Sequence, residues 1–426
     1  MGSAIGITET RTSGRRVWAS RGSAAIGVLL AMWLSACATG PRVQAPPTHF
    51  LGPVAPTGFP AIVRSLGMDR SFYLTHAQEM HDRLERASNG GSLNILALSG
   101  GGAGGAFGAG ALIGLTQREE RPQFTLVTGV STGALLAPFA FLGPDWDAQL
   151  REVFVSGRAE HLLRSRGLGV LFRPGVYKGE PLAELVEHVV TPDMIRAIAL
   201  ESVRGRSLLV ATTDLDKEET VIWDMGAIAA QGGDAALKLF RAVLVASASI
   251  PGIFPPVLIP VEGSGVAYDE MHVDGGTTLP FFFMPEIAEL LPGDGENLRG
   301  ANLYVIINGQ FSSLPHTTPE RAVPILARSF SAELGHSSRI SLALAAAYAQ
   351  KHDMRFRFTD IPIDYPYKGS LDFHRDAMQP LFDYALSCAM QGELWTTPDQ
   401  ALASSEQALS SKPGHALQCP LSGTSP

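Results

Sequence analysis

The stretch Leu93-Asn94-Ile95-Leu96-Ala97-Leu98-Ser99-Gly100-Gly101-Gly102-Ala103-Gly104-Gly105 decides how this chain folds. A short apolar run without alternation leads into a block of glycines. A strand covered on both faces reads this way, because neither face has to meet water. Glycines tolerate positive φ and present backbone N–H groups with no side chain in front of them. Gly105–Thr116 continues as a predicted helix, with Phe107, Leu112 and Leu115 available to pack. Successive N–H groups at a helix start form an anion cradle, which suits a pyrophosphate or the oxyanion of acyl transfer. Gly100, Gly102 and Gly105 also satisfy the G-x-G-x-x-G pattern of dinucleotide sites, so this stretch leaves both chemistries open.

The same strand–turn–helix grammar recurs downstream. Phe124–Thr128 is a second short strand, and Thr132–Leu142 an apolar helix containing Pro138. Between them stands Gly129-Val130-Ser131-Thr132-Gly133. A serine on a sharp strand-to-helix turn, with glycines two before and two after, is the pattern of a nucleophile elbow. Further strands are predicted at Ser207–Thr213, Thr220–Asp224, Leu303–Ile307 and Met354–Ile361. Helices are predicted over 68–88, Asp234–Ser249, Pro319–Gln350 and Leu371–Trp395. Strands alternating with helices imply an α/β fold with a largely parallel central sheet flanked by helices. A helical C-terminal extension follows.

A third motif, Asp274-Gly275-Gly276, follows the run Val266–Val273. Alone it is a turn aspartate. Taken in order with the other two it is similar to the patatin-like phospholipase family, which carries a glycine-rich oxyanion loop, then G-x-S-x-G, then D-G-G or D-G-A. The resemblance covers roughly Leu93 to Pro285, including Ala246-Ser247-Ala248-Ser249-Ile250-Pro251-Gly252. It implies a patatin-like three-layer fold and a Ser–Asp dyad, with Ser131 as nucleophile and Asp274 as base. It also implies an oxyanion hole from the N–H groups of Gly100, Gly101, Gly102 and Ala103. Gly129 and Gly133 would shape the elbow, and Gly275 and Gly276 the turn after the base. The family often places Arg or Lys where this chain has Gly104, so backbone donors would work here without that cation. The implied activity is hydrolysis of lipid carboxylic esters through an acyl-serine, of the phospholipase A or lysophospholipase kind, with no cofactor and no metal.

Three rivals have separate signatures. A Ser–His–Asp esterase would need one of His316, His336 or His374, and would leave Asp274-Gly275-Gly276 unexplained. A dinucleotide site needs an acid about twenty residues past the glycines. Glu119 and Glu120 have that spacing but lie in a charged loop before the next strand. A catalytically silent scaffold on the same fold would have no use for both Ser131 and Asp274. His272, two residues before Asp274, would share its sheet face and reads as structural. The run Asp214, Asp216, Lys217, Glu218, Glu219 reads as a solvated turn, and Phe281-Phe282-Phe283 as core.

Composition sets the outer bounds. The 426 residues are 45% apolar and 17% charged, enough to bury a large core. The net charge is -8, and it becomes -11 without residues 1–36, whose four arginines face one glutamate. That excludes a nucleic-acid surface. Arg11, Arg15, Arg16 and Arg21 precede an apolar run, Ala24–Leu34, too short to span a bilayer and suited to a signal peptide. Leu34-Ser35-Ala36-Cys37 then resembles the lipobox of bacterial lipoproteins, which implies diacylglycerol on Cys37. Ala38, not Asp, implies a periplasm-facing outer-membrane location, with membrane lipid as substrate. Lipidation would leave Cys388 and Cys419, and an oxidising periplasm would permit a bridge between them. The expected organisation is a signal peptide at 1–36, a Pro-rich tether at 37–60 and a helical segment at 61–92. The catalytic domain follows at 93–290, an α/β extension packed on the core at 291–395, and a tail at 396–426.

Overall fold

The computed structural model describes residues 54–67, 69–165, 174–263, 265–284, 298–311 and 317–397, with single positions at 2, 42, 167, 400, 419 and 420. The chain divides into Met1–Val43 and Gln44–Pro426, and every element below belongs to the second unit. The expected signal peptide, with Cys37 after it, lies outside the described residues save for position 2, as do most of the expected tether and tail.

Among the described residues ten strands form one sheet: β1 (Ala55–Pro56), β2 (Arg64–Leu66), β3 (Asn94–Leu98), β4 (Leu126–Val130), β5 (Ser207–Asp214), β6 (Glu219–Asp224), β7 (Val257–Gly263), β8 (Val266–Asp274), β9 (Asn302–Gln310) and β10 (Arg355–Ile361). The main order is β1-β7-β8-β5-β4-β3-β9-β10, with β6 also on β5 and β2 on β6. Strands β5, β4, β3, β9 and β10 run parallel. The partners on the β5 side are antiparallel. The helices are α1 (Arg70–Ser88), α2 (Gly105–Gln117), α3 (Thr132–Leu142), α4 (Asp147–Val155), α5 (Glu180–Val189), α6 (Pro192–Val203), α7 (Met225–Gln231), α8 (Gly233–Ser247), α9 (Ala322–Lys351) and α10 (Arg375–Gln391). Among the described residues no helix is long and apolar enough to cross a membrane.

The strands predicted from unbroken apolar runs are buried throughout, apart from Asn94 at the start of β3. On one face Leu96, Leu98 and Val127 join the large core built with Phe107 and Leu112 of α2, Leu136 and Phe139 of α3, and Phe382 of α10. On the other, Ile95, Ala97 and Val305 meet Phe281, Phe283 and the α9 residues Leu342, Ala345 and Ala349. The phenylalanine run is therefore core. Helix starts follow local rules: Asp69 accepts from Phe72 N–H, Thr191 from Met194 N–H and Asp224 from Ala227 N–H, each satisfying a donor the helix leaves open.

Several expectations are corrected. The end of the tether is part of the sheet, since Ala55 and Pro56 pair with Glu262 and Val261. The 61–92 segment contains β2 as well as α1. In the C-terminal extension the two expected strands are present as β9 and β10, and they lengthen the central sheet beyond β3. The run 214–219 is a solvated turn only in part: Asp216 and Glu218 are exposed, but Asp214 and Lys217 turn away from water. Asp214 is fully buried and pairs with Lys217, which turns inward to reach Glu270 as well. Arg64 and His272 complete that buried network on Glu270. Burial would raise the Glu270 carboxyl, but His272, Arg64 and Lys217 together hold it well below the usual carboxylate range.

Candidate active site

The site forms because β4, β5 and β8 are neighbours. Val130 lies beside Ala211, and Thr212 beside Asp274. The end of β4 and the end of β8 therefore flank one strand, and residues 143 positions apart meet. Ser131 Oγ donates to Asp274 Oδ2 at 2.6 Å.

Ser131 has φ 55° and ψ -123°, a conformation rare for a residue with a side chain. The surroundings hold it there. Its N–H donates to Ser247 Oγ at 3.0 Å, and that hydroxyl donates to Ala211 O at 2.7 Å. The flanking glycines answer to close approach. A Cβ on Gly133 would stand 2.3 Å from Leu98 O, and one on Gly129 would stand 2.6 Å from Gly133 O.

Asp274 is fully buried and Ser131 nearly so. Asp274 Oδ1 accepts from Gly276 N–H at 2.7 Å, and its own N–H donates to Ser249 O at 2.9 Å. Burial pushes its carboxyl up to about 7, against the opposing pull of the bonds from Ser131 and Gly276. Apolar side chains of α9 supply part of that cover. A Cβ on Gly276 would meet Leu334 at 3.4 Å and Phe330 at 3.5 Å, and one on Gly100 would meet Ser131 Cβ at 3.1 Å and Leu334 at 3.6 Å. The glycine loop, the dyad and α9 thus share one enclosure.

The four residues expected to line the oxyanion hole divide into two pairs. Gly100 N–H donates to Pro280 O at 3.2 Å and Ala103 N–H to Ser370 O at 2.8 Å, so neither is available as a donor. The N–H groups of Gly101 and Gly102 make no hydrogen bond among the described residues. Gly275 and Gly276 form the 3-10 turn directly after Asp274.

The histidines go elsewhere. His336 faces Arg339 and His374 faces Asp372, while His316 lies outside the described residues. His272 bonds Thr212 Oγ1 at 2.9 Å and Glu270 Oε2 at 3.2 Å, and makes no hydrogen bond to Ser131 or Asp274 among the described residues. Burial lowers its affinity for a proton, against the pull of Glu270. Cys388 and Cys419 are joined by a disulfide, which fastens Cys419 to α10.

Residues 96–285 match the family model described as "Patatin-like phospholipase". The chain carries a patatin-like phospholipase domain. Among solved structures, VipD from Legionella pneumophila aligns at 15% identity over 68% of this chain and 67% of that one, with a TM-score of 0.33. Human GIVD cytosolic phospholipase A2 aligns at 12% identity over 57% of this chain, with a TM-score of 0.29; the match spans 48% of that protein. No curated protein sequence matches.

The matched segment of the patatin-like domain contains Ser131, Asp274 and the glycine loop, but not all that holds them. Sequence reasoning passes over Ser247, which braces Ser131, and over Asn308, Tyr367 and Ser370, which brace the glycine loop from beyond residue 285. Ser247 sits in a segment the family resemblance already marks. The other three carry no local signal, because their roles arise only where β9 and the 362–374 connection pass the loop.

Proposed function

We propose that this protein is a lipid acyl hydrolase, of the phospholipase A or lysophospholipase kind, working through Ser131 and Asp274. One observation carries the reading: a serine hydroxyl 2.6 Å from a buried carboxylate, at the glycine loop where two backbone N–H groups have no partner among the described residues. Ser131 Oγ attacks the ester carbonyl carbon as its proton passes to Asp274 Oδ2. The carbonyl oxygen becomes an oxyanion facing the Gly101 and Gly102 N–H groups. Collapse breaks the ester bond, and the departing alkoxide takes the proton from Asp274. Water then attacks the acyl-serine with Asp274 as base again, releasing the fatty acid and restoring Ser131.

Two physical points support this chemistry. An ordinary aspartate is too weak a base near neutral pH, and one raised to about 7 is matched to the task. A preorganised N–H donor is worth about 10²–10³ in rate, so two donors can supply much of the acceleration. Leu334 and Phe330 offer an apolar surface for an acyl chain and help keep water from the dyad. The proposal extends to location. The lipobox at Cys37 would hold the enzyme by lipid on the periplasmic face of the outer membrane, against its substrate. The Cys388–Cys419 bridge supports an oxidising compartment.

The test is to incubate the full chain with a mixed bacterial lipid extract beside Ser131→Ala, and to identify products by mass spectrometry. Free fatty acid and lysolipid should appear with the wild type alone. Equal release by both proteins, or none by either, overturns the reading.

A further inference from the structure

The two free N–H groups need aiming, and the structure contains the parts that aim them. A trans peptide is planar, and its N–H points opposite its C=O. The carbonyl of Gly100 shares a plane with the N–H of Gly101, and the carbonyl of Gly101 with the N–H of Gly102. Whatever grips those carbonyls from behind sets the direction of the N–H groups in front. The peptide bonds here are all trans.

Both carbonyls are gripped. Ser99 Oγ donates to Gly100 O at 2.7 Å. Tyr367 Oη donates to Gly101 O at 3.1 Å, and Gly104 N–H donates to the same oxygen at 3.0 Å. The Ser99 hydroxyl is itself oriented. Asn308 N–H donates to Ser99 Oγ at 2.8 Å, which leaves the hydroxyl proton to turn toward Gly100 O, and Asn308 Nδ2 donates to Ser99 O at 2.7 Å. Asn308 is fully buried on β9. Its carbonyl oxygen fills the space where a Gly101 side chain would be, 1.8 Å from that Cβ position. Ser370 O takes the Ala103 N–H and closes the far end of the loop. Burial pushes the Tyr367 phenol above its ordinary range, so it keeps its proton and remains a donor.

We propose that Tyr367 and Asn308, both outside the family-matched segment, are positioning residues for the oxyanion hole. Tyr367 aims the Gly102 N–H through the Gly101 carbonyl, and Asn308 aims the Gly101 N–H through Ser99 and the Gly100 carbonyl. This rests on the acyl-hydrolase reading above, and it makes the C-terminal extension a working part of the catalytic machinery.

The experiment uses the full chain, with wild type, Tyr367→Phe, Ser99→Ala, Tyr365→Phe and Ser131→Ala compared on one soluble short-chain ester. Tyr367→Phe removes one hydroxyl and leaves the ring. Because Gly104 N–H still holds Gly101 O, the expected loss is about tenfold in kcat, below the 10²–10³ of a deleted donor. KM should stay within twofold. Binding of a boronic acid, which forms a tetrahedral adduct on serine, should weaken by the same factor as kcat/KM. A merely structural role would not couple those two quantities. Ser99→Ala should give the same split, and it also serves if Tyr367→Phe fails to fold. Tyr365→Phe, on a neighbouring buried ring that does not touch the glycine loop's carbonyls, should match wild type. Wild-type kcat/KM and boronate affinity in both Tyr367→Phe and Ser99→Ala overturn the proposal while Ser131-dependent turnover stands. Loss of the Ser131 dependence itself overturns the dyad reading, and the proposal with it.

Discussion

Replacing Asp274 with Asn should abolish turnover and, at the same time, stabilise the protein. The folded state holds this carboxyl at about 7 against an ordinary value of 3.8, a rise of about three units. Each unit corresponds to about 1.4 kcal/mol between the two protonation states, so an ionised Asp274 costs the fold about 4 kcal/mol. The sign follows from proton counts. Between pH 3.8 and 7 the folded chain keeps a proton that the unfolded chain has released, so wild-type stability falls as pH rises through that window. Below it both states are protonated, and above it both are ionised, so the dependence flattens on either side. Asn carries no charge at any of these pH values and can still accept from Gly276 N–H. The stability gap between Asp274→Asn and wild type should therefore be near zero at pH 3.5, about 2 kcal/mol at pH 5 and about 4 kcal/mol at pH 8. Urea denaturation followed by tryptophan fluorescence at those three pH values measures it. A gap that does not change with pH, or a wild type more stable than the variant at pH 8, would refute the claim that burial sets the strength of this base.

In the proposed mechanism the same carboxyl is the base, so kcat/KM on a soluble ester should climb with pH through a single ionisation near 7; a profile flat from pH 5 to 9 contradicts that. Gly133→Ala puts a methyl group 2.3 Å from Leu98 O and 2.7 Å from Ser99 O, both backbone atoms, and should cost at least about 3 kcal/mol or prevent soluble expression. A melt of the purified variant decides it. Reduction of Cys388–Cys419 opens a 31-residue separation and should remove about 3–4 kcal/mol of stability, seen as a lower melting temperature with reductant. Thiol titration of the denatured protein should find those two cysteines only after reduction. Lys217→Met leaves Glu270 and Asp214 in the interior with one cation fewer, and should destabilise by about 3–5 kcal/mol in chemical denaturation.

The architecture was legible where one residue pattern answers to one local force. Buried parallel strands read as short apolar runs, so β3, β4, β5 and β9 stand out. Asp69 and Asp224 mark helix starts by the bonds their side chains make. The region 143–206 was less so, because α4, α5 and α6 are short helices joined by turns. Even there, Thr191-Pro192 is a legible start signal, with a capping hydroxyl followed by a residue that needs no donor. Lys217 misleads because charge pattern alone favours water. Only the neighbouring strand β8, with Glu270 pointing at it, makes an inward turn favourable.

The sequence by itself determined the chemistry on offer: a serine at a glycine-flanked elbow, an aspartate on a glycine turn and a loop of bare amides, each readable because glycine and its neighbours constrain the backbone locally. Tertiary structure alone decided which amides are free, which are consumed by Pro280 and Ser370, and which distant side chains grip the loop. The reason is physical. A hydrogen bond depends on where a carbonyl from another part of the chain arrives: sheet order delivers Asp274 and Asn308 to Ser131 and its loop, the connection after β10 delivers Tyr367, and local sequence specifies neither.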